Sequence, residues 1–463
     1  MKRLLLIISL LASLGAVAGC TLYHPLPLDK ASEKEALKQP DFKSVAVAAS
    51  KIDHPLLQPV KVDLADGLSP DEAALVAVAA NPQLRVDRDQ RQLAAAQLIE
   101  AGLLPNPVLA YGQDIPTGGA DQNTVTGYMT SLDLNLNALL TRGLRKKTAI
   151  EQQKAVNLQI AWREWQVAES AKLDVYQLEA LTRQVLLARR MQEALGNNLK
   201  ALQKAAREGE ISDVRLAAAQ AAFARGRDVL LNLEQQQETE RRSLNAAMGF
   251  PPDVSIPLQG AGLPTWKSLP SQSAIMKGLD RRRLDLLALR KGYKSQELRV
   301  RLAVRNQFPN IGISINHGRD TSNIVSTGYA VSIDLPFFNR NQGRIAFQRA
   351  TRKQLRDEYL GRLFDARAQI AQILGDMAKV KQKIEADGAA LPADKRLAAA
   401  YEKALKDGSV DLISYNDAVN EVWTREIRIE GLKADLARLG VALELASGRY
   451  FPAGAAPAAK GAS

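Results

Sequence analysis

From Ser69-Pro70-Asp71-Glu72 onward, long helical periodicities fill the chain, interrupted twice by short alternating stretches. A serine ahead of proline and two acidic residues is a helix start. Residues 82–103 read as helix until Pro105 and Pro107, and residues 284–307 until Pro309. Proline disfavours helix at the residue before it. No proline occurs from Thr117 to Phe250, and in that span Leu178, Leu181, Val185, Ala188, Met191, Leu195, Leu199 and Leu202 recur three or four apart. That spacing is a coiled-coil-like seam. If residues 142–207 are all helical, the rod is roughly 100 Å long at about 1.5 Å per residue. Val422, Ile429, Leu432, Leu436, Leu439 and Leu443 give the last helix a similar seam.

The interruptions have period two. Tyr128, Thr130, Leu132, Leu134 and Leu136 alternate with Met129, Ser131, Asp133 and Asn135. Ile311, Ile313 and Ile315, then Tyr329, Val331, Ile333 and Leu335, alternate with small or polar residues. One apolar and one polar face suit a barrel with lipid outside and water inside. The same pattern suits a half-buried strand in a soluble sheet.

The two regions repeat one plan at an offset near 200 residues: helix, two strands, very long helix, break, long helix. Gly127-Tyr128-Met129-Thr130-Ser131-Leu132-Asp133-Leu134 answers Gly328-Tyr329-Ala330-Val331-Ser332-Ile333-Asp334-Leu335, with five of eight positions identical. Pro105-Asn106 answers Pro309-Asn310, Gly143 answers Gly343, and Gly209-Glu210-Ile211 answers Gly408-Ser409-Val410. The unit is too long for an ordinary solenoid repeat. The organisation expected is a first repeat at 69–252, a linker at 253–270, a second repeat at 271–448 and a flexible tail at 449–463. Residues 20–68, rich in Pro, Lys and Asp, read as an extended tail.

Residues 1–19 pair Lys2 and Arg3 with a short apolar run and small residues, the pattern of a secretory signal. Val17-Ala18-Gly19-Cys20 resembles a bacterial lipoprotein junction, which makes Cys20 the expected lipidated residue. An ordinary signal with a free thiol at Cys20 is the alternative. Thr21, in place of the aspartate that retains such proteins in the inner membrane, points to the outer membrane. No later stretch approaches 18 uninterrupted apolar residues, so further insertion must use strands. These two features favour the barrel over the soluble sheet.

Composition narrows the chemistry. One cysteine and three histidines (His24, His54, His317) argue against disulfide frameworks, cysteine-ligated clusters and a histidine-rich metal cage. The net charge of +12 lies along helix faces without aromatic interleaving, so no nucleic-acid partner is expected. There is no Walker-type loop, Gly-x-Ser-x-Gly elbow or His-Glu-x-x-His. No catalytic residue, resident metal or cofactor is assigned, and Gly118-Gly119 reads as a turn.

The sequence resembles the TolC-like outer-membrane factors, the exit ducts of tripartite efflux pumps, over nearly all of residues 69–448. The carriers are Ala101-Gly102-Leu103-Leu104-Pro105-Asn106-Pro107, Arg283-Leu284-Asp285-Leu286, Gln307-Phe308-Pro309-Asn310-Ile311, Leu335-Pro336-Phe337-Phe338-Asn339-Arg340-Asn341-Gln342-Gly343, and the glycines Gly209 and Gly408. Leu284 stands where the family often has proline. The resemblance implies a mainly α fold with a transmembrane β-barrel portion. A long α-helical coiled-coil cylinder would join four strands per chain, making a 12-stranded barrel in a homotrimer. It implies a periplasmic adaptor and an inner-membrane RND-type pump as partners, with outer-membrane lipid around the barrel.

Pro105 and Pro309 are then expected where helix yields to strand, and Gly143 and Gly343 where strand yields to helix. Asp133 and Asp334 are expected in the barrel lumen. Asp411 and Asp417 follow the family's pattern for a periplasmic gate, with Asp213 the first-repeat counterpart. Helix capping accounts for aspartate at such positions equally well. The Pro336–Gly343 run resembles the branch serving cobalt–zinc–cadmium pumps, with drug or other small-molecule export as the alternative cargo. Rival readings are a lipid-anchored periplasmic adaptor and a soluble coiled-coil scaffold; neither explains two tandem copies of one plan.

Overall fold

The computed structural model describes residues 22–38, 40–119, 124–260 and 262–451. The signal segment, Cys20 and residues 452–463 lie outside them. Two compact units divide after Asp41. In the first, helix α1 (Lys30–Ala36) is capped by Asp29, whose carboxylate accepts from Ser32 N–H at 2.8 Å.

The second unit begins at Phe42 and contains both repeats. Its first part runs α2 (Phe42–Ala49), α3 (Pro70–Ala80), α4 (Pro82–Gly102), β1 (Val108–Asp114), β2 (Gly127–Asn135), α5 (Leu136–Arg207) and α6 (Asp213–Ala247). The second runs α7 (Gln272–Met276), α8 (Leu279–Arg282), α9 (Leu284–Arg305), β3 (Ile311–Arg319), β4 (Val325–Ile333), α10 (Gln342–Lys406) and α11 (Leu412–Ser447). The order α4-β1-β2-α5-α6 recurs as α9-β3-β4-α10-α11.

Ser69 opens α3 with a reciprocal capping box to Glu72, and Pro70 occupies the first turn, where its missing N–H costs nothing. Asn81 opens α4 by accepting from the N–H groups of Gln83 and Leu84. Helix α5 has 72 residues, about 108 Å at about 1.5 Å each. Its seam is buried at Leu178, Val185, Ala188, Met191 and Leu195, and Trp165 is fully buried higher up. Helices α3, α4, α6, α9 and α11 all pack along it.

The prolines stand where expected: Pro105 in the segment between α4 and β1, Pro309 between α9 and β3. The glycines do not. Strand β2 passes into α5 without a turn, and Gly143 lies inside the helix. The change of geometry occurs at Asn135, which keeps extended angles while its side chain accepts from Ala138 N–H at 3.1 Å. Gly343 is also helical; the residue in the left-handed conformation is Asn341 (φ 60°), immediately before α10. Asparagine tolerates that region better than most side chains.

The stretch expected as an extended tail is partly core. Val45, Ala49, Val62 and Leu68 are buried against α3, α5 and Phe250. His54 pins this segment to α5: its Nε2 lies 2.8 Å from the Ala161 carbonyl, and its Nδ1 accepts from Leu56 N–H at 3.1 Å and Leu57 N–H at 3.3 Å. The C-terminal boundary is likewise tighter than a tail at 449 implies. Phe451 is buried, and the Tyr450 hydroxyl donates to Asp71 at 2.7 Å.

Beneath Tyr450 lies a buried charge cluster. Lys172 Nζ is 2.6 Å from Glu444 and 3.7 Å from Asp71, and Glu444 also accepts from Phe451 N–H at 3.0 Å. Burial opposes the lysine's charge, but Glu169 and Glu444 outweigh it and hold Lys172 protonated. Burial and then Glu444 push the Glu169 carboxyl well up. The cluster therefore balances one ammonium against carboxylates while joining α3, α5, α11 and the chain end.

Burial lowers the His54 pKa from its ordinary 6.5. Its native form is neutral, because a charged ring would turn a second N–H toward the donors of Leu56 and Leu57. The contact's stability is thus full above pH 6.5 and is lost as pH falls through the depressed native value. Amide exchange across residues 45–62 should accelerate between pH 7.5 and 5 in the wild type. In His54→Ala it should be fast throughout, beyond the intrinsic pH effect measured on a peptide of the same sequence.

Candidate functional site

The residues singled out by the sequence gather in two regions: the sheet, and the pair of helical turns at the far ends of the long helices. The strands form one antiparallel sheet in the order β1-β2-β3-β4. Cross-strand partners share a face. The register Leu109↔Leu132, Leu132↔Ile315 and Ile315↔Tyr329 therefore puts these four side chains together, with Tyr111, Leu134, Ile313, Val331 and Ile333 on the same side. The opposite side carries Ala110, Gly112, Ser131, Asp133, Ser314, Asn316, Ser326 and Ser332. The apolar face is uncovered, with Leu109 70% and Tyr329 86% exposed. Among the described residues, the outer edges of β1 and β4 have no strand partner.

Asp133 lies on the polar face, accepting from Ser131 Oγ at 2.9 Å. Asp334 falls one residue beyond β4, where its N–H donates to the Asn310 carbonyl at 3.1 Å and its carboxylate accepts from Asn310 Nδ2 at 3.0 Å. Asn137 donates to the same Asn310 side chain at 2.6 Å, so an amide chain ties the start of α5 to the ends of β3 and β4. His317 sits on β3, bonded to Thr327 Oγ1 at 2.8 Å. No helix among the described residues is long and apolar enough to cross a membrane.

At the other end, α5 and α10 stop identically. Gly209 (φ 75°) and Gly408 (φ 70°) are left-handed. Glu210 N–H reaches back to the Ala205 carbonyl and Ser409 N–H to Ala404, both at 2.9 Å, the paired bonds of a Schellman ending. Asp411 caps α11, accepting from Ser414 N–H at 2.9 Å and Ser414 Oγ at 3.0 Å. These bonds, backbone first, hold its carboxyl below the usual range, with a smaller contribution from the Arg215 charge. Asp213 is the first residue of α6, and Asp213 and Asp417 are both exposed.

Thus the structure brings Asp411 near Arg215 of the other turn. The two hairpins meet through Asn198 Nδ2, which donates to Asn416 Oδ1 at 2.8 Å, and through Trp423, which packs against the cluster of Met191, Leu195 and Ala222. Sequence reasoning passed over Arg215, Asn198 and Asn416, whose partners lie far along the chain. It also passed over Arg425, which binds Asp394, Asp387 (2.9 Å) and Glu421 (2.7 Å), while Arg428 grips Asp387 from beside it (2.8 Å). Pro392, inside α10, lies between those two aspartates. Among the described residues, no three His, Cys, Asp or Glu side chains gather to hold a metal ion.

Residues 277–449 match the family described as outer membrane efflux protein. The outer-membrane channel OprN is similar across 93% of this chain and 99% of its own, at 16% identity and a TM-score of 0.72. The chain is similar in fold to outer-membrane efflux channels, and residues 277–449 to that family in sequence. The CmeC outer membrane channel of Campylobacter jejuni matches 93% of this chain and 95% of its own, at 12% identity and TM-score 0.70. The open state of the MtrE channel of Neisseria gonorrhoeae matches 93% and 98%, at 16% identity and TM-score 0.68. At these identities the likeness is one of fold. No curated protein matches significantly in sequence. The matched family domain spans the second repeat only, and the structural likeness extends the architecture to the first.

Losing an N-cap side chain costs about 1 kcal/mol. Asp411→Ala should therefore raise amide exchange in the first turn of α11 roughly fivefold, read by mass spectrometry, while the first turn of α6 keeps its rate.

Proposed function

We propose that the chain is one subunit of a trimeric outer-membrane exit duct in a tripartite efflux system. Cargo crosses it passively from periplasm to exterior. The observation that carries this reading is the four-stranded sheet with an uncovered apolar face and two unpaired edges, set on the ends of helices about 100 Å long. In lipid, open edges leave backbone groups unsatisfied, and closure removes them. Three copies supply 12 strands, an even number within the known range for such barrels. The apolar face then meets lipid, and Asp133 and Asp334 line the water-filled side. Cys20 carries the lipid anchor.

The gate lies at the turns after Gly209 and Gly408. Asp411, Asp417 and Asp213, in three copies around an axis, would attract cations and repel one another when ionised. Docking of a periplasmic adaptor and an inner-membrane pump would open it. Asp411's capping bonds are compatible with that role, since they occupy the carboxylate without neutralising it. The cargo proposed is a heavy-metal cation, supported by the resemblance of the Pro336–Gly343 run alone. A deletion strain losing tolerance to metals but not to drugs would bear this out, and the reverse pattern would transfer the duct to drug export.

Outer-membrane fractions should yield a heat-modifiable trimer with acylated Cys20. A soluble monomer without a lipid adduct would overturn the assembly. In planar bilayers, Asp411→Ala or Asp417→Ala should change single-channel conductance or cation block. Unchanged conductance, block and selectivity in both variants would remove them from the gate.

A further inference from the structure

We propose that a groove of about 350 Å³, where α4, α5, α9 and α10 approach the strands, is an anion site that holds a phosphate-type oxyanion through Arg145, Arg299 and Arg344. The three arginines come from three different helices, and no acidic residue lines the groove. Several enclosed arginines are matched, Arg283 with Asp285 at 2.7 Å, Arg88 with Glu164 at 2.7 Å and Arg425 with its carboxylates, whereas Arg282 meets backbone carbonyls alone. In the groove Arg145 is half-buried while Arg299 and Arg344 are exposed, and none of the three has a carboxylate within ion-pair distance among the described residues. Glu151, the carboxylate adjacent to Gln152 in the chain, is engaged by Lys154, Lys291 and Lys294 at 3.1–3.8 Å.

Two glutamines of the lining keep open donors. Gln152 Oε1 accepts from Arg299 at 3.4 Å, which leaves its amide N–H group for another acceptor. Gln348 is buried, and its Oε1 accepts from Gln296 at 2.6 Å, so its N–H group is again the free end. Arg145 donates through Nη2 to the Ala138 carbonyl at 2.8 Å, but its Nε is buried without any acceptor. A buried donor left unmade costs about 1–3 kcal/mol. Burial and the neighbouring Arg344 also lower the pKa of Arg299, as expected where cations gather uncompensated.

An oxyanion answers the gathering of guanidinium charge and the two open amide groups, while Arg145 Nε stays buried behind them. It neutralises like charges, accepts from several guanidinium forks at once and takes the amide N–H groups. A tetrahedral phosphate group offers enough oxygens to serve three helices. The same group can arrive on an anionic phospholipid, since the groove adjoins the strand end of the helices, or as a free solute. The inference is independent of the duct reading, because one chain supplies every residue.

The test is calorimetric titration of the purified full chain in neutral detergent, with inorganic phosphate and with short-chain phosphatidylglycerol as separate probes. Saturable binding of one group per chain is expected for at least one probe. The lipid alone binding identifies a headgroup site, and phosphate binding by itself identifies a solute site. Arg299→Gln/Arg344→Gln should weaken the binding at least tenfold, whereas Arg362→Gln, outside the groove, should not change it. Arg299→Lys/Arg344→Lys keeps the charge and loses the forked geometry, so a smaller loss is expected. It decides the matter if circular dichroism shows the glutamine variant misfolded. Saturable binding of neither probe, or unchanged affinity in a folded double variant, overturns the proposal.

Discussion

The structure depends on an unbroken ladder of backbone hydrogen bonds from Leu136 to Arg207. Each residue of α5 added to an existing helix fixes one more bond, so a long proline-free run propagates once nucleated. That rod gives five other helices a common surface, and its first turn continues directly from β2. Sheet and helices are thereby one covalent and mechanical object. The short hydrogen bonds among Asn137, Asn310 and Asp334 stiffen the same joint from the second repeat.

Duplication places equivalent parts under different loads. Both long helices end in the same glycine turn, yet Asp411 caps α11 through Ser414, while α6 has Ser212 at its cap position without a side-chain bond and Asp213 one residue inside the helix. In the first repeat Leu75, Met248 and Trp165 are fully buried around α3 and α5, and in the second Ile370, Met377 and Leu443 are buried between α10 and α11. The N-terminal approach, residues 42–68, and the inter-repeat segment seal the first of these cores, and Leu68 exchanges backbone hydrogen bonds with Pro257 and Gln259.

Sequence pattern reached the periodic parts because their cause is local. Heptad-like spacing placed the buried side of α5, alternation sorted the two faces of the sheet, and Pro105 and Pro309 marked where helix had to end. It misplaced the strand-to-helix junctions because glycine was taken as the permissive residue. Asn135 and Asn341 do that work with a side-chain cap and a left-handed backbone. It read residues 42–68 as extended because His54 and Ser50 act on groups distant in sequence, Ala161 and Val62 among them. The charge of Arg215 felt at Asp411, and the gathering of three arginines in one groove, have no local signature at all.

Pro392 removes one rung from the ladder of α10, since it has no N–H to offer Gly388. Arg425 and Arg428 span that missing rung from α11 by gripping Asp387 and, through Arg425, Asp394. Covalent periodicity is thus replaced at one point by charge, and charge responds to its surroundings in a way an apolar seam does not. Salt screens exposed charges over about 8 Å at physiological ionic strength, so the exposed Arg428 is weakened more than Arg425, whose pairs are partly buried. The second hairpin is therefore tied at this level by charge, whereas its counterpart, the proline-free α5, keeps its own backbone ladder throughout.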